Sequence, residues 1–243
     1  MRSRRRSFPT SGLTQFGKLV KPKIKTLLRY VDTKTLSPGT GAGVHTFRMR
    51  SIYDPDYTGG GHQPMFRDNW ATLYGQYKVL KTMVSVTFHP NMVTGDVVDQ
   101  VQPYVGATDT YPYILTEKQR NEHILFLEVG QTAVPEYGIA ANKNALREAG
   151  RVTDAIDWKY MGPKDDKGLV MSKVINGKRW VSDPEYMDES TLIGVNSDTK
   201  GEVYLHVGCM SKDGNDTNKV KFDIHLSFIV ELSDPVASAI VEN

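Results

Sequence analysis

An all-β antiparallel sandwich is the fold class this sequence predicts, and three observations carry it. The stretch from Lys219 to Leu232 places Val220, Phe222, Ile224, Leu226, Phe228, Val230 and Leu232 at every even position, with Lys219, Lys221, Asp223, His225, Ser227 and Glu231 between them and Ile229 the exception. Period-two patterning of this kind marks a strand with one face in a core and the other polar. A second strand alternates from Leu80, with Leu80, Thr82, Val84, Val86 and Phe88 on one side and Lys81, Met83, Ser85 and Thr87 on the other, until Pro90 stops it. Only two short segments read as helices, and Gly- and Pro-rich connections punctuate the rest.

The elements follow in order. Residues 1–23 mix Arg, Lys, Ser, Gly12, Gly17, Pro9 and Pro22 without a sustained period, which predicts an arm disordered when alone. Strand grammar begins at Ile24, with Ile24–Thr35 and Val44–Tyr53 separated by the turn-forming run Ser37-Pro38-Gly39-Thr40-Gly41. Gly59-Gly60-Gly61 specifies only backbone freedom, and Phe66, Trp70, Leu73 and Tyr74 then fall at helical spacing, with Pro64 placed near the first turn of a short helix. After the strand ending at Phe88, Gln100–Val105 and Tyr111–Leu115 are candidate strands, and His123–Val129 is apolar enough to be buried on both faces. Asn142–Ala149 reads as a helix closed by Gly150, Arg151–Trp158 and Gly168–Trp180 as weaker strands, and Glu202–Met210 as a strong one. The strand from Lys219 ends at Asp234-Pro235 and belongs inside a sheet, because such an edge left unpaired would invite aggregation. About eight strands with long connections and no internal repeat give a single jelly-roll domain over residues 24–243, behind the arm of residues 1–23.

The net charge of +2 hides a segregation. Residues 1–29 carry Arg2, Arg4, Arg5, Arg6, Lys18, Lys21, Lys23, Lys25 and Arg29 and no acidic side chain, while the remaining 21 basic and 28 acidic residues leave the body at −7. A cationic arm on an anionic body points to a polyanion, and these nine residues are the candidate nucleic-acid contacts. A solvated tail without a partner, a mitochondrial presequence interrupted by its prolines and glycines, and a nuclear-localisation patch at Arg2–Arg6 are the competing readings of the same residues. No run of about 18 apolar residues and no secretory leader is present, so the sequence predicts a soluble chain with no membrane insertion. Its one cysteine, Cys209, alternates with Val203, Leu205 and Val207, which predicts a small buried side chain in a protein made in a reducing compartment.

The sequence predicts no catalytic residue, no metal site and no cofactor. None of the six histidines, His45, His62, His89, His123, His206 and His225, forms the His-x-His pair by which one strand offers two imidazoles to a metal. The pairs Asp54/Asp56 and Asp165/Asp166 read as solvated loop carboxylates, with calcium at a subunit contact left open. There is no Gly-x-Ser-x-Gly elbow, Gly59-Gly60-Gly61 lacks the Lys-Ser/Thr of a phosphate loop, and Asn215-Asp216-Thr217 is a sequon without a leader. His62, Gln63 and Pro64 are predicted to be structural: a loop crossing a sheet edge needs His62 and Gln63 to bond backbone groups and Pro64 to fix its exit.

Ile52-Tyr53-Asp54-Pro55, then Gly61-His62-Gln63-Pro64, then the Tyr74–Phe88 strand, behind an Arg-rich N-terminus and ahead of a final alternating strand closing at Asp234-Pro235, resemble the capsid proteins of circular single-stranded DNA viruses, the circovirus-like group. The resemblance covers the arm, the first half of the body and the last strand. It implies a non-enzymatic coat protein that self-assembles into a small icosahedral shell, most simply of 60 copies. It further implies a luminal arm that engages the packaged genome, and residence in the virion after assembly in the host nucleus or cytoplasm. The sequence names neither receptor nor host. The reading from another class is a carbohydrate-binding or cupin-like jelly roll with an incidental basic tail, in which Trp158, Tyr160 and Trp180 would form sugar platforms.

Overall fold

The computed structural model describes residues 21–38, 41–89, 92–93, 113–114, 122–136, 143–162, 168–176, 191–193, 201–211 and 219–236. The strands are β1 (Lys23–Leu36), β2 (Ala42–Arg48), β3 (Tyr74–Phe88), β4 (Met92–Val93), β5 (Tyr113–Ile114), β6 (His123–Gly130), β7 (Ile156–Met161), β8 (Leu169–Asn176), β9 (Thr191–Leu192), β10 (Tyr204–Ser211) and β11 (Val220–Pro235). Two helices, α1 (Arg67–Ala71) and α2 (Lys143–Val152), complete the described elements.

One sheet runs β1-β11-β3-β8, with β9 also on β3, and the other β2-β10-β6-β7; β4 and β5 form a separate ribbon. Counting only the eight long strands along the chain, the sheets read 1-8-3-6 and 2-7-4-5, all antiparallel. Successive strands thus cross repeatedly between two layers, the two-Greek-key connectivity of a jelly roll. The protein is an all-β jelly roll, and its last strand lies inside a sheet between β1 and β3. That position spares β11 from being an edge.

The alternation drives the packing. Phe222, Ile224, Leu226, Phe228, Val230 and Leu232 of β11 meet Leu125, Leu127 and Val129 of β6 and Leu205, Val207 and Cys209 of β10 in one core between the sheets. Cys209 is a buried thiol in this core. A second, smaller core lies on the outer side of the β2-β10-β6-β7 sheet, where Leu146 of α2 covers Ile124, Phe126, Ile156 and Met210. This explains the continuous burial of β6: one face looks into the sandwich and the other lies under α2. Gly208 is required there, because a Cβ at that position would lie 2.0 Å from the Phe126 ring.

Several elements differ from the sequence reading, each for a local reason. Leu80 is not a core residue of β3: the register passes from Ile229↔Lys81 to Val230↔Val79, so Leu80 is the extra residue of a bulge, and Val79 and Tyr77 take the core side before it. Inverting the parity is what a one-residue bulge does. The stripe Phe66, Trp70, Leu73, Tyr74 is not one helix face. Phe66 has φ 66°, so α1 begins only at Arg67; Phe66 and Leu73 are exposed, and Tyr74 already belongs to β3. Nor does Pro64 open the helix, since it is buried ahead of it with its carbonyl accepting from Arg67 N.

β2 ends at Arg48 rather than Tyr53 because the chain folds back, with Arg48 N bonded to Pro55 O and Asp54 N to Ser51 Oγ. α2 runs past Gly150, which serves packing instead of closure: a Cβ there would meet Trp158 at 2.6 Å. The strand expected at Arg151–Trp158 is accordingly displaced to Ile156–Met161, and that at Gly168–Trp180 is described as Leu169–Asn176. β11 carries on through Asp234 to Pro235. Gln100–Val105, and all of Tyr111–Leu115 except Tyr113–Ile114, lie outside the described residues.

Candidate nucleic-acid interface

The outer face of the β1-β11-β3-β8 sheet is built by the odd positions of β1 and β11 and by their partners on β3. Register aligns Lys25, Glu231 and Lys78 in one row, Leu27, Ile229 and Lys81 in the next, and Arg29, Ser227 and Met83 in the third. Lys23 begins the face beside Ser233, and Thr35 pairs with Lys221 at its far end. Among the described strand residues of this face, Lys23, Lys25, Arg29, Lys78, Lys81 and Lys221 thus stand with two carboxylates, Asp223 and Glu231. Both carboxylates have partners. Glu231 takes Lys23 at 3.3 Å, and Asp223 accepts Thr33 Oγ1 at 2.6 Å and His89 Nε2 at 2.7 Å. Partial burial works against the Asp223 charge, but those donors hold its carboxyl below the usual range. β8 contributes Val170, Ser172, Val174 and Asn176 in register with Thr87, Ser85, Met83 and Lys81, adding no charge.

Of the nine cations singled out in the sequence, Lys21, Lys23, Lys25 and Arg29 are described, and all four are exposed. Lys23, Lys25 and Arg29 belong to β1 itself, so they are fixed on the sheet. Arg2, Arg4, Arg5, Arg6 and Lys18 lie outside the described residues. Sequence reasoning missed Lys78 and Lys81 as members of this face. Lys81 was visible in the polar half of its strand, whereas Lys78 sits at an even position that only the bulge at Leu80 turns outward.

The His62 loop sits at the free edge of β1. His62 Nε2 donates to Val31 O at 2.7 Å and Nδ1 to Gln63 O at 2.8 Å, with the ring stacked on Tyr30 at 4.6 Å. Met65 N donates to Arg29 O at 3.1 Å. Gln63 Oε1 accepts from Arg67 Nη1 at 3.3 Å, so its side chain bonds a guanidinium rather than backbone. Arg67 is buried, reaches Ile193 O through Nη2 and lies over the Tyr53 ring at 4.7 Å. The result is a pinned loop from which Met65 and Phe66 project, 67% and 65% exposed.

Behind this loop Asp56 is fully buried, not solvated as the sequence suggested. It takes Lys34 Nζ at 2.7 Å, His45 Nε2 at 3.0 Å and Thr58 Oγ1 at 2.7 Å. Burial opposes its charge, but Lys34 and Thr58 outweigh burial and draw its carboxyl down to about 2. Asp54 pairs with Arg48 at 3.1 Å. No group of three His, Cys, Asp or Glu side chains among the described residues is arranged to hold a metal ion. Asp165 and Asp166 lie outside the described residues.

On the opposite side of the sandwich Arg147 lies over both the Trp158 and Tyr160 rings, at 5.5 and 5.7 Å, while Gly150 abuts the Trp158 edge. A sugar platform needs an aromatic face open to a ligand, and these rings already carry a guanidinium. A cleft of about 350 Å³ beside them is lined by Ile156, Asp157, Lys159, Met171 and Ser172 among others, and Lys173 spans the seam to Asp157 at 2.7 Å. Trp180 lies outside the described residues.

No protein-family model matches the chain, and no curated protein matches it. Solved structures do resemble it. Decameric BFDV capsid protein matches at TM-score 0.42 and 9% identity, over 86% of this chain and 99% of that one. Desmodium yellow mottle tymovirus matches at 0.40 and 10%, over 88% and 90%. A T=1 subviral particle of a Penaeus vannamei nodavirus capsid protein deletion mutant matches at 0.42 and 9%, over 89% and 97%. The assignment of this chain to the jelly-roll class rests on its own strand orders, 1-8-3-6 and 2-7-4-5.

Proposed function

We propose that this protein is a viral coat protein without enzymatic activity, of the circovirus-like group, which self-associates into a small icosahedral shell and packages single-stranded DNA. The observation that carries the reading is the open, basic outer face of the β1-β11-β3-β8 sheet, continuous through β1 with the arm of residues 1–23. A jelly roll alone does not decide function, since lectin domains and cupins share it. What supports the coat reading is this charge placement together with the sequence resemblance in Ile52–Pro55, Gly61–Pro64 and the final strand. In the simplest shell of 60 copies, nine cations from each N-terminal region supply about 540 charges, enough for roughly 540 phosphates at one per nucleotide. Lys78, Lys81 and Lys221 add to that total from the sheet.

An extended basic arm and a flat strand surface contact phosphates and offer no element to read base edges, so binding is insensitive to sequence and falls with salt. The test compares the full chain with two variants: deletion of residues 1–20, and Lys25, Arg29, Lys81 and Lys221 all changed to Gln. Size-exclusion chromatography with an ultraviolet check for nucleic acid gives assembly, and titration with labelled single-stranded DNA at several salt concentrations gives affinity. The deletion removes five cations and should lower the log–log salt slope by about 3.5, and the face variant should lower it by about 2.8, at ~0.7 per engaged charge. Slopes unchanged in both variants would remove nucleic acid from the function. A full chain that stays monomeric across salt and pH would remove the shell.

A further inference from the structure

The free edge of β1 is covered along Arg29–Val31 by a segment whose bonding requires a particular charge state. A carbonyl oxygen only accepts, so a ring that bonds Val31 O and Gln63 O through its two nitrogens must carry a proton on each. We propose that His62 is a proton-operated clamp that closes residues 62–65 over the edge of β1, latched as imidazolium and released when the ring loses a proton. This inference is independent of the coat-protein reading.

The surroundings fit a latched cation. On β1, Tyr30 stacks on the ring and donates to Asp32 Oδ2 at 2.7 Å, Asp32 adds an attractive charge, and Lys34 opposes it. Lys34 is itself paired with Asp32 at 3.0 Å and Asp56 at 2.7 Å. From β2, His45 faces the same Asp56. Within the loop, Arg67 is engaged by Gln63 Oε1 and Asp68. The two carbonyls, and then Asp32, raise the imidazole pKa above its ordinary value. Gly61 lets the loop come this close, since a Cβ there would lie 2.7 Å from both Asp56 Cβ and the Tyr30 hydroxyl.

The sign follows from linkage. A histidine with a raised folded pKa gives stabilisation that is complete below the unfolded value and lost as pH rises through the folded one. At higher pH one nitrogen lone pair faces a carbonyl, one bond of the clamp fails, and the strand edge and the Met65–Phe66 tip are freed together. An unguarded edge is a pairing site for another strand.

The experiment is histidine C2-hydrogen exchange by mass spectrometry on the full chain, which reads each imidazole whether or not the protein is assembled. The midpoint for His62 should lie above the free-histidine value of about 6.5. Amide exchange at Met65, corrected for intrinsic rate, should be about tenfold slower at pH 5 than at pH 9, the scale of one hydrogen bond. His62→Phe keeps an aromatic ring for Tyr30 but removes both donors, so Met65 protection should lose its pH dependence. A His62 midpoint at or below 6.5, or equal Met65 protection at the two pH values in the unaltered chain, overturns the clamp regardless of how the variant folds.

Discussion

The two sheets of this sandwich share one core but treat their outer faces in opposite ways. Outside β1-β11-β3-β8 the alternating residues stand uncovered by any described element: Leu27, Val31, Val170 and Val174 are exposed among lysines, serines and threonines. Outside β2-β10-β6-β7 the face is roofed by α2 and by the turn after β6, and Ile124, Phe126, His206 and Met210 are buried there. A sheet that meets solvent keeps a clean hydrophobic–polar alternation, and one that is roofed loses it. The difference separates a face that the described elements leave open from one committed to packing.

Substitutions probe the two faces from the inside outward. Phe228 is fully buried in the shared core, and Phe228→Ala should cost roughly 3–5 kcal/mol in denaturant unfolding. An unchanged midpoint would mean that the two sheets do not share that core. Next in size is the pH response of the roofed face. His206 donates from Nε2 to Thr132 O at 3.1 Å and accepts from Thr46 Oγ1 at 2.9 Å, so it is satisfied as the neutral ring. Burial, only partly offset by Thr132, depresses its pKa from 6.5 to about 4. The unfolded chain therefore protonates first, and the His206 contribution to stability is full above pH 6.5, falls between 6.5 and about 4, and levels off below. The loss should reach about 3 kcal/mol at most, and His206→Gln should flatten it. Acid loss from Asp56, whose carboxyl is drawn from 3.8 to about 2, starts only at about pH 5 and runs on below that window, which separates the two groups.

Smaller again is Gly208→Ala. Its Cβ would strike the Phe126 ring beneath the roof, an overpacking cost of about 1–3 kcal/mol. Val174→Thr on the open sheet should stay within about 0.5 kcal/mol. Unfolding midpoints of the two variants test the contrast directly, and equal effects would show that the open face is also covered.

The open face was the more legible of the two. β11 could be read residue by residue because nothing interferes with its parity, and the core assignments of Val220 through Leu232 stand as the alternation places them. The roofed strand β6 was legible only as a run buried on both sides, since the chain does not say that α2 supplies the roof. Leu80 misled because a bulge leaves no mark in composition, and it hid Lys78 from the basic face. Phe66 misled because its positive φ breaks a helix that the apolar spacing supports. Asp56 was unreadable for a different reason: its partners Lys34 and His45 come from β1 and β2, and only the fold brings these strands against the loop.

The smallest effect tests the open face as an electrostatic surface and nothing else. Glu231 is one of two carboxylates among the described residues of that face and pairs with Lys23 at 3.3 Å, a lysine largely in water. Exposed pairs of this kind contribute about 0–1 kcal/mol, so Glu231→Gln should leave the unfolding midpoint nearly unchanged. The same change frees Lys23 and removes a negative charge from the row shared with Lys25 and Lys78. Affinity for single-stranded DNA should therefore rise and its salt dependence steepen, by about 0.7 in log–log slope if Lys23 then engages one phosphate. Fluorescence anisotropy at three or more salt concentrations measures both quantities. Unchanged affinity and slope with an unchanged midpoint would mean that this face does not meet the polyanion, and would leave residues 1–20 to do so alone.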